Sequence, residues 1–275
     1  MNVTLRRTET LSGEELRERL ANDPRQAARI ILGAARDGLT DAQTLLGQIL
    51  LDGRGIEKDP ALARAWFRIA ASNGDAMARN MLGRCLEHGW GGDVDLAEAA
   101  NQYRQAIASG LDWALYNYAG LLATGRGVER DQAAAFALYL QAAQAGHAKS
   151  MNLVGRYFEE GIAVARDAGV ALEWYRRSAE AGDFRGQFSY AAVLAAQGRI
   201  DEALGWLRRS LAAGNLNFLR TSRGSLAQAS DPHIRALAGD FHQRASELGD
   251  DSDRQAQHRF LAQGSSGVER KGNIC

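Results

Sequence analysis

AQTLLGQILLDGRGIEKDPALARAWFRIAASNG, residues 42–74, decides the fold. Ala42, Leu45, Leu46, Ile49 and Leu50 recur at helical spacing and make one apolar face. Gly53 ends that helix, because a glycine just past the last turn takes the left-handed conformation without a Cβ clash. Gly55 continues the turn. Asp59 then stands where its carboxylate can accept free backbone N–H groups of a second helix. Pro60 follows at a position that needs no N–H. Ala63, Trp66, Phe67, Ala70 and Ala71 mark the second helix, and Gly74 ends it. The stretch reads as a pair of helices with its own start and stop signals.

The same signals return along the chain. Gly38, Gly74, Gly110, Gly146 and Gly182 stand 36 residues apart, and Gly214 and Gly249 follow after 32 and 35. Gly53, Gly89, Gly125 and Gly161 form a second ladder, and Gly55, Gly91 and Gly127 a third. Asp59, Asp95, Asp131 and Asp167 share one column, and Ala63, Ala99, Ala135 and Ala171 another. The aromatic pair Trp66-Phe67 returns as Gln102-Tyr103, Leu138-Tyr139 and Trp174-Tyr175. Self-similarity at a fixed period is the mark of a repeat array. The repeats read as 13–38, 39–74, 75–110, 111–146, 147–182, 183–214 and 215–249. An N-terminal tail (1–12) precedes them, and a capping helix (250–263) and a flexible tail (264–275) follow. Segment 215–229 fits poorly as a first helix, because Arg220, Arg223 and Gly224 fall where other repeats are apolar or tightly packed.

The unit Ala42-x-x-x-Leu46-Gly47, Gly53-Arg54-Gly55-Ile56, Asp59, Ala63, Trp66-Phe67, Ala70-Ala71, Gly74 resembles the Sel1-like repeat, a longer-looped relative of the tetratricopeptide repeat. The resemblance covers roughly residues 24–249. It departs at Ala119 and Ala191, where other units carry Gly47, Gly83 and Gly155, and at Ala163, where others carry Gly55, Gly91 and Gly127. It implies an all-α fold: an α-solenoid of stacked antiparallel helix pairs following a right-handed superhelix. It also implies an adaptor or scaffold that binds a protein or extended peptide in the concave groove lined by the first helices.

Composition narrows the function. Of 275 residues, 33 are basic and 33 acidic, so the net charge is zero, which argues against a nucleic-acid partner. No apolar run approaches membrane-spanning length, so no membrane insertion is expected, and the reading is a cytoplasmic chain. Two cysteines make no disulfide framework or zinc site. Cys85 falls in an apolar column and reads as buried, and His242 falls in the Phe67/Tyr103 column and reads as half-buried. No metal site, cofactor or catalytic residue is read, because no P-loop, H-E-x-x-H, G-x-S-x-G or C-x-x-C occurs.

Repeat register places Asn80, Arg84, His88, Trp113, Tyr116, Lys149, Asn152, Arg156, Arg185 and Phe188 at outward positions of first helices. Asn80/Arg84 and Asn152/Arg156 are one pair two repeats apart. Arginine with asparagine can grip a carboxylate or a peptide backbone, and aromatics anchor interfaces. Trp90, in the loop Gly89-Trp90-Gly91-Gly92, is either a contact residue or folds back on its own repeat. The expected function is a non-enzymatic protein- or peptide-binding module. The alternatives are a regulatory subunit of an enzyme, transporter or signalling protein, and a hydrolase or β-lactam-binding protein. For the last, the S-x-x-K that would supply a nucleophile is missing.

Overall fold

A computed structural model describes Glu18 and residues 21–269, with side chains to residue 262. Tail 1–12, most of the first helix of repeat 13–38 and residues 270–275 lie outside the described residues. Fourteen helices are described: α1 (Pro24–Arg36), α2 (Thr40–Asp52), α3 (Pro60–Ser72), α4 (Ala76–His88), α5 (Leu96–Ala108), α6 (Trp113–Thr124), α7 (Gln132–Gln144), α8 (Ala148–Glu160), α9 (Ala168–Glu180), α10 (Phe184–Ala196), α11 (Ile200–Ala213), α12 (Leu216–Ala227), α13 (Pro232–Leu248) and α14 (Asp251–Glu269). Among the described residues there is no strand. Helix α14 runs past residue 263, into the stretch expected to be tail. The described residues divide into two compact bodies, with the division between Leu138 and Tyr139, inside α7.

The start and stop signals act as the sequence implies. Gly53, Gly89, Gly125 and Gly161 are left-handed, with φ between 71° and 73°, and their N–H groups bond back to Ile49, Cys85, Leu121 and Tyr157. Asp59, Asp95, Asp131 and Asp167 accept from the backbone N–H three residues on, each at 2.9 Å. Their own N–H groups close the loop onto Leu50, Leu86, Leu122 and Phe158. Each seven-residue loop thus satisfies some of the groups that a helix end leaves unpaired.

The loop also reaches backwards. A Cβ on Gly55 would overlap the Pro24 carbonyl at the start of the preceding second helix. A Cβ on Gly91 would overlap that of Pro60, and one on Gly127 the Leu96 backbone. These glycines therefore answer two demands, positive φ and backbone-to-backbone approach. Ala163, in the same column, is held at φ 57°, the sole non-glycine residue with positive φ among those described.

Within a helix pair, the second-helix ring lies on a first-helix glycine. A Cβ on Gly47 would come within 2.6 Å of Phe67, and one on Gly83 within 2.6 Å of Tyr103. Both rings are fully buried, with Ala63, Ala70, Ala99 and Ala106 beside them. Small residues let the helices close, and the rings fill what is left. Cys85 is buried here, as its column predicts.

The last two helix-ending glycines behave differently from the expectation. Gly214 (φ −67°) and Gly249 (φ −103°) are extended, not left-handed. Proximity is what demands glycine there. A Cβ on Gly214 would meet the Phe218 ring and Ser210 carbonyl, and one on Gly249 would overlap the Asp253 carboxylate.

The C-terminal body is built around Tyr175, Leu194, Leu207, Leu219 and Phe241. Segment 215–229, expected to fit poorly, holds the regular helix α12, opened by Asn215, whose side chain accepts from Phe218 N at 3.0 Å. Its misplaced arginines have a partner in α14. Arg220 bonds Asp253 through Nη2 at 2.6 Å and Nε at 3.0 Å, and Arg223 lies 3.4 Å from the same carboxylate. Asp253 is 1% exposed. The break in the pattern is an ion cluster that fastens the terminal helix. His242 is nearly buried, and its ring stacks on Phe260 of α14 with centroids 4.5 Å apart.

Candidate partner-binding surfaces

In the N-terminal body the first helices α4 and α6 touch each other, and both touch α5, the second helix between them in the chain. Met77 and Trp113, in the first turns of these helices, share one repeat column and are 40% and 65% exposed. Tyr116 is half-buried one turn further along α6, and His88 is exposed at the end of α4.

Asn80 is not outward. It is 4% exposed, and its Oδ1 accepts from Asn117 Nδ2 at 2.8 Å, which ties α4 to α6. The Asn80/Arg84 pair therefore divides, because the asparagine is spent inside the array and only the arginine faces out. Register could not show this, since the partner lies one repeat away.

Arg84 is half-buried, with its guanidinium 5.0 Å from the centre of the Trp90 ring. The His88 ring lies 4.9 Å away on the same indole. Trp90 is partly buried against the core, so the loop aromatic folds back on its own repeat. There it fixes a long cationic side chain at low entropic cost. The three side chains form a stack at the C-terminal end of α4.

Beside it lies a group that sequence reasoning undervalued. Glu87 accepts from the Tyr103 hydroxyl at 2.9 Å and from Arg126 Nη1 at 3.0 Å. Burial, reinforced by the Glu87 charge, pushes the Tyr103 phenol far above its ordinary value, so it remains a neutral donor. The same pair recurs as Tyr175 and Glu159 at 2.6 Å. Where the ring is Phe67, with no hydroxyl, the Glu87 column holds Leu51. That pairing was a signal available in the sequence in three of these repeats; in the fourth, Tyr139 stands with Ala123. Tyr103→Phe should cost about 1.5 kcal/mol by urea unfolding, since a hydrogen bond to a charged acceptor is lost. Tyr103→Phe with Glu87→Leu, the Phe67/Leu51 combination, should recover about 1 kcal/mol of that loss.

Cys85 sits under this surface. Burial pushes its thiol up to about 11, against the opposing pull of Arg64 and Arg84, so it remains an un-ionised apolar group.

In the C-terminal body, Lys149 and Arg156 are exposed on α8, and Arg156 Nε lies 3.6 Å from Glu160. Asn152 is half-buried, and its Oδ1 is a buried acceptor with no hydrogen-bond partner. Arg185 lies over the ring of Phe184 at 4.8 Å. Phe188, expected outward, packs edge-on against Phe218 with centroids 5.6 Å apart. It is largely a core residue. Among the described residues no cluster of His, Cys, Asp or Glu could hold a metal ion, and no helix is long and apolar enough to cross a membrane.

The Sel1 repeat model matches residues 40–75, 76–111, 114–147 and 148–183, just over half of the chain. No curated protein matches. A Sel1 repeat protein from Oxalobacter formigenes is similar in structure, with TM-score 0.71 and 27% identity, over 85% of this chain and 94% of that one. A protective antigen of uropathogenic Escherichia coli is similar at TM-score 0.61 and 25% identity, over 90% of this chain and 55% of its own. An immunity protein from Pseudomonas aeruginosa shares the fold at TM-score 0.53 and 15% identity, over 78% of this chain and 85% of its own. Repeat signals, helix pairs and family match agree: the chain belongs to the Sel1 repeat family.

Proposed function

We propose that this chain is a non-enzymatic adaptor that binds a protein or extended peptide on the first-helix face of its N-terminal body. Repeat proteins of this kind bind proteins. One observation carries the choice of surface. Trp113, the largest side chain available to an array, is 65% exposed, one repeat on from the exposed Met77. Apolar area of that size in water is unfavourable by about 25 cal/mol per Å2, and a partner that covers it recovers that energy. Arg84, held by Trp90, offers a fixed cation towards the other end of α4 from Met77.

Affinity purification with the intact chain tests the reading. Trp113→Ala should weaken capture of the specific partner by about thirtyfold, the usual size of a central aromatic anchor. Arg84→Ala should weaken it less. A variant at the second-helix residue Arg208 serves as control. Recovery unchanged by Trp113→Ala would sink the proposal.

A further inference from the structure

Glu159 has half of the surroundings that Glu87 has. In the N-terminal body Glu87 uses both carboxylate oxygens. Its Oε2 accepts from the Tyr103 hydroxyl and its Oε1 from Arg126. Arg126 comes from the following repeat, as the second residue of its seven-residue loop. The Glu87 side chain is only 12% exposed. In the C-terminal body, Glu159 Oε2 accepts from the Tyr175 hydroxyl in the same way. Its Oε1 has no partner among the described residues, and Glu159 is exposed.

The missing partner has a physical cause. The loop of the following repeat, between α10 and α11, spans only residues 197–199. Its middle residue, Gly198, carries no side chain. Arg199 is held by Glu202 through two bonds of 2.7 Å. No counterpart of Arg126 is left to reach Glu159. The neighbouring wall has changed as well. Trp90, at the Arg126 position one repeat earlier, lies on Arg84 and His88 of its own first helix. On α10 those two columns hold Ala192 and Ala196, and both are exposed. Helices α8 and α10 touch each other, so by register the carboxylate and these methyl groups border one open position.

The helix end itself favours a cation there. Glu159 and Glu160 are the last two residues of α8, and its last turn holds no basic residue. The C-terminal end of a helix carries partial negative charge, which disfavours carboxylates and favours a bound cation. Arg156, one turn back, is paired with Glu160 at 3.6 Å. Two carboxylates thus share one guanidinium.

We propose that this position takes an arginine of a partner protein, in place of the arginine that a full-length loop supplies. Its guanidinium bonds Glu159 Oε1 as Arg126 bonds Glu87, and its aliphatic stem lies on Ala192 and Ala196. The Tyr175 hydroxyl already fixes the carboxylate, so little ordering remains at binding. A guanidinium suits the position better than an ammonium, because it is planar and less strongly hydrated. The site goes beyond the surface on α4 and α6, and the two can be tested separately.

Three blocked peptides, Ac-Gly-Arg-Gly-NH2 and its lysine and citrulline counterparts, are titrated into the full chain, and backbone amides are followed by NMR. The arginine peptide should shift the amides of Glu159, Glu160, Ala192 and Ala196 to saturation, with an affinity on the order of millimolar. The lysine peptide should bind about threefold more weakly, and the neutral citrulline peptide about tenfold. Glu159→Gln keeps an acceptor for Tyr175, so it should retain the melting temperature and weaken the arginine peptide about tenfold. Trp113→Ala should leave the titration unchanged, so loss of the α4/α6 surface and loss of this site are distinguishable. Absence of saturable shifts at these amides, equal binding of the citrulline peptide, or an unchanged titration with Glu159→Gln overturns the proposal. So does a fall in sedimentation mass on Glu159→Gln with no response to the peptide, which would make this face a contact between copies of the chain.

Discussion

Gly91→Ala is expected to remove about 3–4 kcal/mol of stability. The glycine has φ 76°, where an L-residue costs about 1–2 kcal/mol. The new methyl would also collide with the carbonyl of Pro60 and lie 2.7 Å from the Ala61 nitrogen. These are backbone atoms in the first turn of a helix, so they cannot rotate away, and overpacking adds about 1–3 kcal/mol. Gly74→Ala is the matched comparison. Its φ is 95°, but nothing lies within 4 Å of the added methyl. It should lose only the backbone contribution, about 1–2 kcal/mol. The difference between the two urea midpoints measures the contact between neighbouring repeats. Equal losses would mean that the loop does not press on the preceding helix.

Asp253→Ala should cost about 2–3 kcal/mol and release α14. A fully buried ion pair that loses one partner costs about 3–5 kcal/mol. Here the side chains of Arg220 and Arg223 are 37% and 19% exposed, so water softens the loss. Hydrogen exchange over residues 251–262 should rise well before that of α8 and α9. Unchanged protection there would show that the ion cluster does not hold the helix.

Acid should act on the same helix in two stages. Hydrogen bonds from Arg220 hold the Asp253 carboxyl below its ordinary value. Its contribution is therefore complete above about pH 4 and lost as the pH falls through the folded value. Burial, with Arg223 nearby, holds the His242 imidazole below its ordinary value. The unfolded chain then takes up that proton first, so stability already declines as the pH falls below about 6.5. Read by hydrogen exchange over residues 251–262, His242→Phe should abolish the upper stage and leave the lower one; burial holds the His147 imidazole below its ordinary value too, so global unfolding keeps a share of the upper stage.

The repeat signals were legible because they depend on neighbours in the chain. An Asp59 cap needs only Leu62, and a Gly53 stop needs only Ile49. Side chains that answer to another repeat were harder to place. Asn80 reads as a surface residue until Asn117 is found opposite it. Arg220 and Arg223 read as errors in a helix until Asp253, some thirty residues on, is brought beneath them. Gly214 and Gly249 hold their place in the ladder yet serve a different end, since spacing reveals a glycine but not which neighbour requires it. The Phe188 reading failed for a related reason. Its column is buried or half-buried at Asn80, Tyr116 and Asn152 as well, and here Phe218 and Phe241, from the next repeat, pack against the ring.

The back-reaching loop also decides how such an array can be cut and rejoined. The stretch from one terminal glycine to the next, such as residues 39–74, separates each loop from the helix it covers. A block from Pro24 to Asp59 keeps the second helix, the following first helix and the loop that folds back onto Pro24 together. For grafting or deletion, that is the self-contained module. Within the N-terminal body, removing a repeat from the C-terminal side uncovers the start of a second helix, whereas removing one from the N-terminal side takes a loop's seat away with it.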